Sequence, residues 1–197
     1  MTLSLICLLV AGILLGSLII PETWGNELDY IARVILYILL FLVGISLGLQ
    51  RKKLKKLIDL GRQAILLPFG TMLGSLLGGM LGSIMTGHHL TDGLAIASGM
   101  GYYSLTGAML QQLRGVEIGM VAFLANFLRE VMTYLVVPFC VKLHPSTAIA
   151  FGGVTTMDVT LPIIKRYTTS EYAVLAFFHG VILTFFVPIL INLFVLI

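Results

Sequence analysis

Residues 151–162 read FGGVTTMDVTLP, and residues 97–107 read ASGMGYYSLTG. Both stretches lie inside apolar segments, yet they carry glycines and hydroxyl side chains where a membrane helix would carry leucine or valine. Each glycine lowers helix stability by roughly 1 kcal/mol relative to alanine, and Pro162 removes a backbone hydrogen-bond donor. The two stretches therefore predict two short, interrupted helices, although helices kinked only for packing would show a similar pattern.

The composition is that of a protein that crosses a membrane several times. Of the 197 residues, 58% are hydrophobic and 11% are charged, whereas about a quarter of the residues in a soluble domain are charged. Apolar runs of about 20 residues match the length that crosses a bilayer. A soluble globule with a large core is therefore a poor alternative. The net charge of +3 comes from basic residues beside these runs, which argues for membrane topology and against a nucleic-acid partner.

We predict one all-α integral membrane domain, residues 1–197, with about seven transmembrane helices. The predicted spans are Leu3–Ile20, Ile31–Leu49, Ala64–Met85, Leu94–Leu110, Gly119–Val141, Thr147–Ile164 and Tyr172–Ile197. The fourth and sixth are the short, interrupted spans. In the third span, glycines at a four-residue spacing predict a close helix–helix contact; they are Gly70, Gly74, Gly78 and Gly82. Cys7 and Cys140 have no CxxC or Cys/His spacing, so no metal, disulfide or other cofactor is predicted.

Basic residues concentrate in alternate predicted loops. They follow the second, fourth and sixth spans and are Arg51, Lys52, Lys53, Lys55, Lys56, Arg62, Arg114, Lys165 and Arg166. The opposite loops hold acids, histidines and Lys142. Because positively charged loops stay in the cytoplasm, we predict a cytoplasmic N-terminus and a C-terminus outside the cell.

Two carboxylates fall deep within predicted spans, Glu130 near the middle of the fifth and Asp158 near the middle of the sixth. An acid at the centre of a membrane helix costs about 3 kcal/mol on insertion scales, which favours a functional role. Asn126, Glu130 and Thr133 share one helix face, which we expect to face the interrupted spans. Arg129 points elsewhere on the helix, and Asp158 is one candidate for its partner.

These residues predict a site for a cationic amino acid. Glu130 and Asp158 would form a carboxylate cage, and freed amides around 99–102 and 152–155 would bind the substrate's carboxylate. Burial favours the neutral form of a carboxyl group, so the same acids could exchange a proton for the substrate. The candidate site residues are Gly99, Tyr102, Tyr103, Ser104, Asn126, Arg129, Glu130, Gly152, Gly153, Thr155, Thr156, Asp158 and His179.

Three of these residues have two interpretations. Tyr102 and Tyr103 could stack on a cation or anchor the chain at the membrane interface. His179 could carry a proton because histidine titrates near neutral pH, and the alternative is a packed, hydrogen-bonded histidine beside Gly180.

Four segments together resemble the lysine exporter (LysO) family: GMGYYSLTG at 99–107, LRE at 128–130, GGVTTMDVTLP at 152–162 and AFFHGVILTFFVP at 176–188. The resemblance implies export of L-lysine and its toxic analogue thialysine across the bacterial inner membrane, with Glu130 and Asp158 as functional acids. It also implies a remote likeness to antiporters and bile-acid-type carriers in which two broken helices cross.

The resemblance implies a further N-terminal membrane segment in full-length members. We expect a separate small membrane protein to supply that segment here, with a homo-oligomer as the alternative. An intramembrane enzyme is disfavoured because the sequence has no GxGD, HExxH or dense aspartate cluster. A channel or a non-transporting subunit of a heteromeric complex is the competing interpretation.

Overall fold

A computed structural model describes residues 61–197 without interruption and isolated positions between residues 7 and 45. The chain divides into two compact units, Met1–Ile38 and Leu39–Ile197, and the helices below belong to the second. They are α1 (Arg62–Thr86), α2 (Leu90–Ala97), α3 (Tyr103–Arg114), α4 (Val116–Leu143), α5 (Pro145–Gly152), a 3-10 segment (Gly153–Met157), α6 (Leu161–Tyr167) and α7 (Ser170–Leu196). The first two predicted spans and the basic run at 51–56 fall largely or wholly outside the described residues.

Three of these helices are long and apolar enough to cross a membrane. They are α1, α4 and α7, with 25, 28 and 27 residues. At 1.5 Å per residue each exceeds the roughly 30 Å hydrocarbon core. They correspond to the third, fifth and seventh predicted spans, and the described residues contain no strand. The chain is therefore an all-α, multi-pass membrane protein, as predicted.

The fourth and sixth predicted spans are interrupted, as the glycine and hydroxyl pattern predicts. The first break separates α2 from α3 at residues 98–102, where Met100 has a φ of 48° and Gly101 a φ of 97°. The second break separates α5 from α6, and it contains the 3-10 segment, which begins at Gly153. Each segment therefore consists of two short helices joined by irregular backbone.

Both ends of the α2–α3 segment lie at the same end of the long helices. The Arg114 Nη1 atom, at the end of α3, lies 3.6 Å from Oδ1 of Asp92 in the first turn of α2. The same guanidinium donates to the Val195 carbonyl oxygen at the end of α7, with a distance of 3.0 Å. The α2–α3 segment is thus a hairpin that enters and returns on one side.

The α5–α6 segment forms a second hairpin from the opposite side. The ring of His144, just before α5, packs edge-on against Tyr172 in the first turn of α7, with centroids 6.0 Å apart. At the other end of the segment, α6 stops just before α7 begins. Ile149 of α5 and Ile164 of α6 share one buried apolar cluster with Leu175 of α7. Both ends of this hairpin therefore lie where α7 starts.

The hairpins replace two of the seven predicted crossings. The sequence analysis predicted that the fourth and sixth segments cross the membrane, whereas in the structure each of them enters and leaves on the same side. Basic side chains consequently gather at one end of the described bundle, which carries Arg62, Lys142, Lys165 and Arg166. The other end carries Arg114. The predicted separation of Lys142 from Lys165 across the membrane is therefore wrong.

The close contact between α1 and α2 lies beside the predicted glycine stripe and not on it. A Cβ atom added to Gly79 would collide with the Ala97 side chain and the Gly93 carbonyl. A Cβ atom on any stripe glycine meets nothing within 4 Å in the described part of the chain. The predicted helix–helix contact therefore exists, but Gly79 and Gly93 make it.

The hairpin topology predicts which positions are reached from which side. In a background with both native cysteines replaced by alanine, we expect the His89→Cys and Glu117→Cys variants to react with an impermeant thiol reagent from one side. The Lys142→Cys and Lys165→Cys variants should react from the other side. Seven full crossings would instead place Lys142 opposite Lys165, and labelling in vesicles of both orientations distinguishes the two topologies.

Candidate functional site

The tips of the two hairpins meet beside the middle of α4. The Val154 backbone N–H donates to the Met100 carbonyl oxygen, with a distance of 2.9 Å. Gly153 has a φ of 62°, and a Cβ atom there would collide with the same Met100 oxygen. Only glycine permits both this backbone conformation and this approach. Arg129 and Glu130 lie halfway along α4, at the level of this contact.

Asn126 holds the first break in place. Its Oδ1 atom accepts from the Gly101 backbone N–H at 2.7 Å. Its Nδ2 group donates to the Ile96 carbonyl at 3.0 Å and to the Ala122 carbonyl at 2.9 Å. A Cβ atom on Gly99 would lie 2.7 Å from this amide. Asn126, predicted as a site residue, therefore supports the tip of the α2–α3 hairpin through hydrogen bonds that helix geometry no longer supplies.

Threonine hydroxyls hold the second break. Thr155 Oγ1 donates to the Gly152 carbonyl at 2.8 Å and lies 3.1 Å from Thr160 Oγ1. The Thr160 backbone N–H donates to the Thr155 carbonyl at 2.9 Å. These side chains satisfy backbone groups where the helix is interrupted, so the hydroxyl-rich sequence has a direct structural use.

His179 connects the second break to two long helices. It is completely buried, and its Nδ1 and Nε2 atoms lie 3.2 Å from Thr156 Oγ1 and 2.9 Å from Thr71 Oγ1. Thr156 has one hydroxyl proton, which it gives to the Gly153 or Ala176 carbonyl. In a neutral His179, Nδ1–H then donates to Thr156 and Thr71 donates to Nε2. The geometry fits the packed, hydrogen-bonded interpretation of His179.

Arg129 bonds to carbonyl groups and not to Asp158. Its Nε donates to the Phe151 carbonyl at 2.9 Å, and its Nη2 donates to the Ala150 carbonyl at 3.0 Å. These carbonyls belong to the last turn of α5, where a cation is favourable. Its Nη1 donates to Ser75 Oγ at 3.0 Å. Sequence reasoning missed Ser75, although it lies one turn after Thr71 on the same helix, a spacing that could have pointed to both residues.

Glu130 is the exception among the polar groups near the tips. Its side chain is 1% exposed, and neither carboxyl oxygen has a hydrogen-bond partner among the described residues. It lies close enough to Asp158 and to the Tyr103 side chain for an electrostatic influence on each. An ionised carboxylate left unpaired in this position is strongly unfavourable, so the group requires a proton or a cation.

Asp158 has a different environment from Glu130. It directly follows the 3-10 segment, and its side chain is exposed, whereas the sequence predicted a buried acid in the middle of a helix. Its Oδ1 accepts from the Val159 backbone N–H. The Val159 carbonyl accepts in turn from the Tyr134 hydroxyl. Tyr134 lies one turn after Glu130 on α4, a spacing that could have identified it from the sequence.

The residues that begin α3 take different positions. The ring of Tyr103 packs edge-on against Phe123 and Phe127 of α4, with centroids 5.4 and 5.6 Å apart. Tyr102 immediately precedes α3 and is half-buried, and its hydroxyl interacts electrostatically with Asp158. Ser104 is exposed. Both tyrosines therefore lie near the acids, and Ser104 does not join them.

The sequence profile of the lysine exporter LysO family matches residues 6–195 of this chain. The chain belongs to the lysine exporter LysO family. Over 159 residues it is 36% identical to lysine exporter LysO of Escherichia coli, which covers 81% of this chain and 53% of the relative. Over 191 residues it is 31% identical to a Haemophilus influenzae protein named "Putative lysine exporter", covering 97% of this chain and 96% of that one. No solved structure matches the chain.

Membership of the LysO family confirms the resemblance found in the sequence. The chain spans about half the length of the Escherichia coli relative and nearly all of the Haemophilus influenzae relative. The family is one of exporters, which argues for a transporter and against an enzyme. The segments 99–107 and 152–162, on which the resemblance was based, contain the two hairpin tips, and the LRE segment lies in the middle of α4.

The tip contact predicts a large effect of one methyl group. We expect Gly153→Ala to lower the free energy of unfolding by about 2–3 kcal/mol, because the new Cβ strains the backbone and breaks the Val154–Met100 hydrogen bond. Gly74→Ala adds the same methyl group where nothing lies within 4 Å and should change it little. Denaturation in detergent measures both variants, and equal stability would contradict the contact.

Proposed function

We propose that this chain forms the substrate-binding core of an exporter of L-lysine and of close analogues such as thialysine. The observation that supports this most is the buried carboxyl group of Glu130, which has no hydrogen-bond partner among the described residues. It lies where two hairpins from opposite sides meet, the position at which broken helices hold substrate in many transporters. The names of the two relatives supply lysine as the substrate.

In this proposal the two acids bind the ammonium groups of lysine one after the other. Asp158 is exposed and could receive the substrate first, and Glu130 interacts with it electrostatically from the buried side. Glu130 holds a proton when lysine is absent, because an unpaired carboxylate is unfavourable there. Lysine would displace this proton on binding, which couples export to proton entry. Tyr103 and Tyr134 would shape the site, and His179 would support the second hairpin without carrying protons.

The two hairpins enter the bundle from opposite sides, and their tips meet at the site. This arrangement fits a carrier whose site opens to each side of the membrane in turn. We place the protein in the bacterial inner membrane with the basic end of the bundle in the cytoplasm, because positive residues favour that side. This end carries Arg62, Lys142, Lys165 and Arg166. The C-terminus, which follows α7, then lies outside the cell, and the N-terminus stays in the cytoplasm.

One observation favours a second candidate, a channel-like or non-transporting subunit. The Escherichia coli relative is about twice as long as the matched region, so activity could require a further segment. We propose that a separate small membrane protein, or a second copy of the chain, supplies it.

Removing the charge of either acid should strongly reduce export. We expect Glu130→Gln and Asp158→Asn to reduce lysine export by about 30-fold or more, as for the loss of a charge-assisted contact. Glu171→Gln, an exposed acid at the start of α7, is the matched control and should export normally. The measurements are lysine retention and thialysine sensitivity in cells. Normal export by Glu130→Gln would contradict the proposed site.

Proton coupling has a direct test in inside-out vesicles, whose lumen corresponds to the outside of the cell. An acidic lumen should drive accumulation of radiolabelled lysine, and a protonophore should abolish it, because protons leave the lumen as lysine enters. A channel would only equilibrate lysine, without saturation. Accumulation that persists after the proton gradient is removed would refute the coupling.

A further inference from the structure

A cavity of about 360 Å³ lies between α1, α2 and α4, and the proposed roles of Glu130 and Asp158 do not use it. Its lining on α1 extends from Ser75 to Thr86, and the exposed His88 follows at the end of that helix. The stretch from Ser75 to Thr86 corresponds to about 16 Å of helix. The cavity therefore runs from the less basic end of the described bundle to the level of the hairpin tips.

Arg129 lies at the inner end of this cavity, beside Ser75. A guanidinium group has five N–H donors. The bonds to Ser75, Phe151 and Ala150 use one donor each on Nη1, Nε and Nη2. One N–H on each terminal nitrogen therefore remains for a ligand. The ion pair that the described residues do form joins Arg114 to Asp92 and does not involve Arg129.

The charge of the lining suits an anion. Among the described lining residues, Arg129 carries the permanent charge, and Gly82 leaves room for a ligand because a Cβ atom there meets nothing within 4 Å. A cation at the centre of a membrane is unfavourable without a counter-charge. The carbonyl end of α5 supplies part of that compensation. A carboxylate, which the planar guanidinium binds with two N–H groups, would supply the rest.

We propose that this cavity is the outer passage of the carrier and that Arg129 binds the α-carboxylate of the amino-acid substrate within it. The identity of the ligand rests on the proposed function, whereas the anion site rests on the cavity and the unused donors. Such a site selects an amino acid over a diamine of the same length. The acids hold the ammonium groups, and Arg129 requires the carboxylate that a diamine lacks.

Gly82 offers a probe that leaves Arg129 and its hydrogen bonds intact. It lines the cavity, and a Cβ atom there meets nothing within 4 Å. Gly78, one turn earlier, has the same open space but is not among the described lining residues, which makes it the control. In the cysteine-free background, Gly82→Cys and Gly78→Cys are treated in permeabilised membranes with thiol reagents that carry either a sulfonate or a quaternary ammonium group.

We expect the ratio of anionic to cationic labelling rates to be about fivefold higher at Gly82→Cys than at Gly78→Cys, because Arg129 attracts the sulfonate. Saturating L-lysine should lower this ratio at Gly82→Cys to the value at Gly78→Cys, because its carboxylate neutralises Arg129, and 1,5-diaminopentane should not. Equal ratios at the two positions would overturn the anion site, whether or not the chain exports lysine. An equal effect of lysine and the diamine on this ratio, with export intact, would overturn carboxylate binding and leave the proposed function standing. Absent export with an intact anionic preference counts against the proposed function alone.

Discussion

The fold depends on one constraint: a backbone that leaves its helix inside a bilayer must find hydrogen bonds within the protein. The two breaks satisfy it at a shared place, where Val154 donates to Met100. Asn126 supplies partners for the first break, and Thr155 supplies them for the second. Glycine at 153 lets the two tips approach. The tips are consequently held against each other and against the middle of α4, although they enter from opposite sides.

Against this background, the position of Glu130 is informative. In the described part of the chain, the buried side-chain polar atoms without a hydrogen bond are its two oxygens and Asp92 Oδ1. The Asp92 oxygen lies 3.6 Å from Arg114, so an ion pair compensates it. Glu130 has no such compensation, and an unsatisfied buried group costs about 1–3 kcal/mol. Because of this cost, the carboxyl group favours binding a cation or a proton over remaining ionised and unpaired, which is the behaviour that a carrier requires.

The sequence predicted the local backbone structure better than it predicted the topology. Glycines and hydroxyl residues indicated both interrupted helices, because these residue types act on backbone geometry nearby. Hydropathy could not distinguish a short crossing from a hairpin, because it measures apolar length and not direction. The Arg114–Asp92 ion pair that closes the first hairpin joins residues whose proximity depends on the fold.

The candidate site was predicted unevenly for the same reason. Glu130 and Asn126 were placed correctly on one face of α4, since helical spacing fixes that face. Asp158 was predicted to lie deep in the membrane because it falls near the middle of an apolar segment, whereas the structure leaves it exposed after the 3-10 segment. Thr71 and Ser75 were missed because hydropathy identifies their helix only as an apolar span, and only tertiary contacts show that they bind His179 and Arg129.

The central claim is that the Glu130 carboxyl group is protonated when empty and gives up its proton to bind lysine. Infrared difference spectroscopy of the purified protein, before and after addition of L-lysine, tests this claim most directly. We predict that lysine decreases the carbonyl band of a protonated carboxyl group and that this change is absent in Glu130→Gln. A lysine-dependent spectrum without that band in the wild-type protein, or with the same band in Glu130→Gln, would contradict the account.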